Sequence, residues 1–150
     1  MVIIMETEYE ILDYIYKNAT MGYESTMTLL KSLQDKENKI KEVVTDILNS
    51  YGEFTKESEL LLCKINADGK KYNVMATMSA DMNIKRKVSK DNSDAAIAKM
   101  LIKGLSMGQN NMSKAFDSIN KKDVDKKVLD LLDNFKDFQI NSIKKLEIYV

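Results

Sequence analysis

The side chains of this chain that could do chemistry are carboxylates and one thiol. Histidine is absent from the 150 residues, which removes catalytic triads, histidine general bases and carboxylate–histidine metal sites. Among the carboxylates, Glu53 and Asp137 are the two that helical spacing brings to the edge of the interior. Two carboxylates can hold a hard cation but make a poor transition-metal site. We therefore expect no metal and no cofactor, with Glu53 and Asp137 kept as the metal candidates.

The thiol belongs to Cys63, which follows Leu61 and Leu62 in the sequence. Without a histidine to activate it, we expect a small buried apolar residue and not a nucleophile. One cysteine cannot form an intramolecular disulfide, which favours a reducing compartment. The apolar run Met1–Met5 is too short for a signal peptide. The sequence predicts a cytoplasmic protein that is not an enzyme.

Charge is balanced overall but uneven along the chain. The 23 basic and 23 acidic residues cancel, whereas a nucleic-acid binder usually carries a basic excess. Residues 1–63 hold 6 basic and 12 acidic side chains, and residues 64–90 hold 7 basic and 2 acidic ones. We expect no nucleic-acid partner and a basic segment in the middle of the chain.

Apolar residues recur every three or four positions along four long segments, and no segment alternates at a period of two. The four predicted helices cover about 8–33, 36–66, 93–119 and 122–148. Their predicted N-terminal caps are Thr7 with Glu10, Asp35, Asn92 or Ser93, and Asn120. Four long helices, each with one apolar stripe, predict an all-α four-helix bundle that forms one domain over residues 1–150.

The connection at 66–92 is too long for a simple turn. Its helical spacing predicts a short helix over about 72–88, carried by Val74, Met75, Met78 and Met82. With its flanks, this helix can run the length of the bundle and make the first and third long helices antiparallel neighbours. That topology is the ferritin-like bundle with one long crossover between its second and third helices.

A short internal repeat pairs the first and third helices. The segment Lys17–Gly22 matches Lys103–Gly108 in its lysine, methionine and glycine. A glycine inside a helix costs about 1 kcal/mol relative to alanine, so Gly22 and Gly108 call for a packing reason. We expect the two glycines to meet near a pseudo-twofold axis where the helices approach closely. Close approach of a ligand is the alternative.

Two polar residues, Thr55 and Gln139, lie on the apolar stripes of the second and fourth helices. We expect them to form a buried polar layer. Such layers fix register more often than they do chemistry.

The crossover is the most distinctive predicted surface because it is basic and rich in methionine. Its candidate partner residues are Lys70, Lys71, Met75, Met78, Met82, Lys85, Arg86 and Lys87. A basic amphipathic helix can bind an acidic protein or an anionic membrane. The favoured interpretation is that the methionine face packs on the bundle while the basic ends stay in solvent.

Four short patterns add a resemblance. They are Asn73-Val74-Met75, Ser106-Met107-Gly108, Tyr51-x-x-Phe54 and Phe135-x-x-x-x-Ile140. Together they resemble an uncharacterised ferritin-like four-helix-bundle family of anaerobic bacteria. In that family the third helix carries His-Ile-Ala-Glu and the fourth carries acidic residues followed by histidine. The matching positions here read Ala96-Ile97-Ala98-Lys99 and Lys136-Asp137-Phe138, so the resemblance implies a member without those metal ligands.

The expected function is a non-catalytic binding or assembly protein that associates with itself as a homodimer. One alternative is a divergent carboxylate metal-binding protein that uses Glu53 and Asp137. The other is a peripheral binder of acidic partners or anionic membrane through residues 70–90. The metal content of the purified protein distinguishes the expected function from the first alternative. Binding to vesicles across a salt series tests the second alternative.

Overall fold

The computed structural model describes residues 2–65 and 83–150, with side chains from residue 7 onward, and every regular element in these ranges is helical. The all-α prediction is therefore confirmed. The elements, in chain order, are α1 (Val2–Ser32), α2 (Lys41–Lys64), α3 (described over 83–90), α4 (Asp94–Phe116), a 3-10 turn (Lys121–Asp123) and α5 (Lys126–Glu147). None of these helices combines the length and apolar character needed to cross a membrane.

The starts of α1 and α4 differ in how well sequence signals locate them. Helix α1 begins at Val2, so the predicted capping box of Thr7 and Glu10 is wrong. Because the residues before Thr7 are already helical, the amides of that turn have backbone partners. At α4 two caps were open, Asn92 and Ser93. The cap is Ser93, whose side chain accepts a hydrogen bond from the Ala96 amide at 3.2 Å.

Helix α2 begins five residues later than predicted, at Lys41, and Asp35 does not cap it. Its N-cap is Ile40, which is buried and makes no side-chain cap hydrogen bond. The preceding loop is held by Asn38, whose amide donates to the Asn92 carbonyl at 2.7 Å and to the Asp94 carboxylate at 2.9 Å. These long-range bonds tie the loop to the start of α4.

The fourth long helix also starts late because a 3-10 turn precedes it. Asn120 caps that turn by accepting from the Lys122 amide at 3.2 Å. Val124 then adopts an extended conformation and is buried. Helix α5 takes Asp125 as its own cap, accepting from the Lys127 amide at 2.8 Å.

Contacts between the elements set the helix directions. The bond from Asn38 to Asn92 places the end of the α1–α2 loop beside the start of α4. Nearer the start of α1, the Tyr14 ring meets Phe116 at the end of α4, with ring centroids 5.5 Å apart. Helices α1 and α4 are therefore antiparallel, as the sequence predicts for the first and third long helices.

The direction of α5 follows from its two neighbours. Its first turn lies beside the start of α1, where the Glu8 carboxylate accepts a hydrogen bond from the Asp125 amide at 2.7 Å. Helix α2 crosses α5 in the opposite direction, since Tyr51 meets Phe138 while Phe54, further along α2, meets the earlier Phe135. The end of α2 and the start of α4 consequently lie at opposite ends of the bundle. The predicted crossover helix at 72–88 falls within the described residues only at 83–88, which are helical.

The core lies between the four long helices and is mainly aliphatic. Its large fully buried side chains include Ile11, Leu12, Ile15, Leu29, Leu33, Ile40, Leu62, Ile97, Phe135 and Leu146. Each such side chain contributes about 1.5–3 kcal/mol of burial free energy, which holds the helices together. The polar side chain of Gln139 lies among these residues and is as deeply buried as they are.

Candidate functional site

A polar layer, defined here as Tyr14, Asn18, Gly108 and Gln139, crosses the bundle from α1 through α4 to α5. The Tyr14 hydroxyl donates to the Gly108 carbonyl at 2.7 Å. The Asn18 amide in turn donates to the Tyr14 hydroxyl oxygen at 3.3 Å. This chain of hydrogen bonds fixes the register of α1 against α4.

Gln139 is the unusual member of the polar layer. Its side chain is 0% exposed, and neither its amide oxygen nor its amide nitrogen has a hydrogen-bond partner among the residues that the structure describes. A buried polar group left without a partner costs about 1–3 kcal/mol. The predicted burial of Gln139 is confirmed.

The other predicted member of a polar layer, Thr55, does not join it. Thr55 is half-buried, and its hydroxyl donates to the Tyr51 carbonyl within α2 at 3.0 Å. Tyr14 and Asn18 were missed by the sequence reasoning, although their spacing of four places them on one face of α1 with Gly22. That spacing was the available signal.

Each of the two repeated glycines faces a side chain from the next long helix of its own hairpin. A Cβ added to Gly22 would lie 2.5 Å from Cε1 and 2.8 Å from Cδ1 of Tyr51, closer than atoms can pack. At Gly108 it would lie 3.1 Å from the Gln139 amide nitrogen and 3.3 Å from that of Asn18. The absence of a side chain at Gly22 therefore makes room for the Tyr51 ring. The prediction that Gly22 packs against Gly108 is wrong.

Two phenols of this region, buried Tyr51 and half-buried Tyr14, are neutral groups. Burial raises the pKa of Tyr51 well above its ordinary value, and the neighbouring Tyr14 phenol adds to the increase. Burial also raises the pKa of Tyr14, while its hydrogen bond with Asn18 acts in the opposite direction. Phenols with raised pKa values donate hydrogen bonds near neutral pH and do not act as bases there.

Between α2 and α5 the interior is aromatic. The ring centroids of Tyr51 and Phe138 lie 4.9 Å apart, and those of Phe54 and Phe135 lie 5.0 Å apart. Both pairs meet edge to face, the favoured geometry for aromatic rings. These rings fill the space that inward carboxylates would need.

The two metal candidates lie outside that interior. Glu53 and Asp137 are both exposed, which corrects the expectation that they reach inward. They line the same groove of about 360 Å³ between α2 and α5, together with exposed Asp46. Among the described residues, no three histidine, cysteine, aspartate or glutamate side chains are grouped to hold a metal ion.

Cys63 is exposed, so the prediction of a buried apolar residue is wrong. The buried positions of this part of α2 are Ser58 and Leu62, four residues apart. Cys63 follows Leu62 and is turned about 100° further round the helix, which takes it off the buried stripe. An adjacent leucine was therefore a misleading indicator of burial.

The described part of the candidate partner surface belongs to α3. Lys85, Arg86 and Lys87 are exposed, while Ile84 packs against the core and Val88 is buried. The remaining candidates lie outside the described residues: Lys70, Lys71, Met75, Met78 and Met82. Helix α3 thus packs one apolar edge on the bundle and presents its basic residues to solvent.

Three positions correspond to metal ligands in the ferritin-like family that the sequence resembles, and they differ in exposure. Lys99 is exposed, whereas Ala96 and Phe138 are half-buried. No family model, curated protein or solved structure matches the chain. Its function is therefore inferred from the polar layer, the surface grooves and the basic α3.

Proposed function

We propose that this chain is a non-catalytic binding or assembly protein of the bacterial cytoplasm, built on a ferritin-like bundle without a di-metal centre. The observation that carries the proposal is the composition of the bundle centre. Ferritin-like metal proteins direct four glutamates and two histidines inward from their helices. Here the corresponding space holds the neutral groups of Tyr14, Asn18, Tyr51 and Gln139, which cannot balance the charge of two metal ions.

The helix directions support the ferritin-like topology. Helices α1 and α4 are antiparallel, and α2 ends at the opposite end of the bundle from the start of α4. A connection between those two ends has to span the bundle, as the single long crossover of ferritin-like folds does. The exposed thiol of Cys63 is compatible with a reducing compartment.

Self-association as a homodimer is the assembly we propose. Leu60 is 64% exposed and Met107 is 56% exposed. Leu60 lines a groove of about 310 Å³ with Leu61 and Leu131, between the end of α2 and the start of α5. Apolar side chains grouped around a groove favour contact with a second protein surface.

A second candidate function is binding to an acidic protein or an anionic membrane through residues 70–90. The specific support is α3, whose Lys85, Arg86 and Lys87 all point to solvent. Binding to phosphatidylglycerol vesicles that weakens steeply with salt would favour this candidate. The carboxylate metal protein is the less supported alternative, because Glu53 and Asp137 are exposed.

Two measurements on the purified full chain test the leading proposal. Cells are supplemented with iron, manganese and zinc, and we expect well under one metal ion per chain by elemental analysis. Light scattering should give twice the chain mass of 17.2 kDa. Stoichiometric metal that disappears in the double variant Glu53→Gln, Asp137→Asn would contradict the proposal and support the carboxylate alternative. A monomeric mass at all concentrations would contradict the homodimer.

A further inference from the structure

A concave surface with several lysines lies where the last turns of α1 meet α3. This α1–α3 groove has a volume of about 750 Å³. Its polar lining comes from both helices and the loops that follow them: Lys31, Lys36, Lys85, Thr28, Ser32 and Ser89. The volume falls in the range of about 300–1,000 Å³ that is usual for small-molecule sites.

The α1–α3 groove has more basic than acidic residues in its lining. Three lysines line it, and Glu24 is the one carboxylate among the described residues that do so. Converging charges of one sign in a concave surface raise the local concentration of a counter-ion. One of the lysines, Lys36, is half-buried, and Lys31 and Lys85 are exposed.

The groove also offers neutral hydrogen-bonding groups and an apolar wall. Thr28 and Ser89, which carry hydroxyl groups, and Asn92, which carries an amide, belong to its lining. Buried Val88 and half-buried Met27 supply the apolar part. An organic anion suits this combination better than a bare inorganic ion, because an inorganic ion makes no use of the apolar wall.

We propose that the α1–α3 groove binds a small organic molecule that carries phosphate. Lysine ammonium groups bind phosphate as point charges, and hydroxyl and amide donors complete its hydrogen bonds. The inference rests on the binding role proposed above and names its ligand class. A lipid headgroup shares the same phosphate chemistry, so the experiment separates a soluble ligand from a membrane.

The test is a titration of the isotopically labelled full chain, followed by amide resonances. The probes are ATP and, separately, sodium tripolyphosphate, each at constant ionic strength. We expect saturable shifts confined to residues 24–36 and 84–92, with ATP binding more tightly because it also contacts the apolar wall. Lys36→Ala and Lys85→Ala should each weaken ATP binding by at least about fivefold, as loss of one partly exposed charged contact does.

Matched control variants come from the other lysine-lined groove, which contains Lys99 and Lys103 together with Glu147. Lys99→Ala and Lys103→Ala should leave ATP binding unchanged. The ligand class would be overturned by shifts that do not saturate, or by control variants that weaken binding as much as the groove variants. Binding to phosphatidylglycerol vesicles without binding to either soluble probe would also overturn it. Metal content is measured on separate samples, so a failure of the proposed metal-free role is distinguishable from a failure of the titration.

Discussion

Replacing Gln139 with methionine should stabilise the protein. The side chain is fully buried, and within residues 2–65 and 83–150 both polar atoms of its amide lack hydrogen-bond partners. Methionine has a similar length and shape, is flexible enough to fit an irregular space, and requires no hydrogen bond. Removing an unpartnered amide should recover about 1–3 kcal/mol of unfolding free energy. For a chain of this size each kcal/mol corresponds to about 2–4 °C in Tm.

The assay is urea unfolding followed by circular dichroism, with thermal unfolding as a second measure. Gln34→Met is the matched control, since Gln34 is exposed and its replacement should change stability by less than about 0.5 kcal/mol. Gln139→Ala separates polarity from volume, because it removes the amide but leaves a cavity that costs stability. If Gln139→Met unfolds at a lower urea concentration than the parent, the amide is satisfied in solution and our reasoning about it is refuted.

Substitutions at three further positions test packing and capping by the same unfolding assay. Gly22→Ala should destabilise by about 1–3 kcal/mol, because its methyl group would overlap the Tyr51 ring; unchanged stability would show that the ring moves aside freely. Gly104→Ala should stabilise by about 1 kcal/mol, since a Cβ there meets nothing within 4 Å, and a loss of stability would contradict that open space. Ser93→Ala should cost about 1 kcal/mol through loss of the bond to the Ala96 amide, whereas Ser93→Asp should retain stability.

The spacing of apolar residues predicted the four long helices because each of them has one solvent-exposed face and one buried face. The stripe positions identified Gln139 as buried, and the cap of α4 was narrowed to Asn92 or Ser93, of which the structure uses Ser93. The start of α2 could not be predicted in the same way. It depends on Asn38 reaching Asn92 and Asp94, which lie more than fifty residues away in the sequence.

The candidate site was harder to predict because it depends on the register between helices. Residues at the edge of an apolar stripe can turn either inward or outward, and Glu53 and Asp137 both turn outward. The glycine repeat indicated close packing, but only the relative position of α1 and α2 shows that Tyr51 occupies the space at Gly22. The α1–α3 groove likewise combines residues from two helices that no local pattern relates.

The central claim, a bundle whose interior does not bind a pair of metal ions, is tested most directly by an anaerobic titration of the full chain with ferrous iron. Binding is followed by calorimetry, and oxygen is then admitted while the absorbance of ferric species is recorded. We predict no saturable binding at one or two ions per chain and no oxidation faster than in buffer alone. Saturation at two ferrous ions per chain, followed by rapid protein-dependent oxidation, would contradict the account.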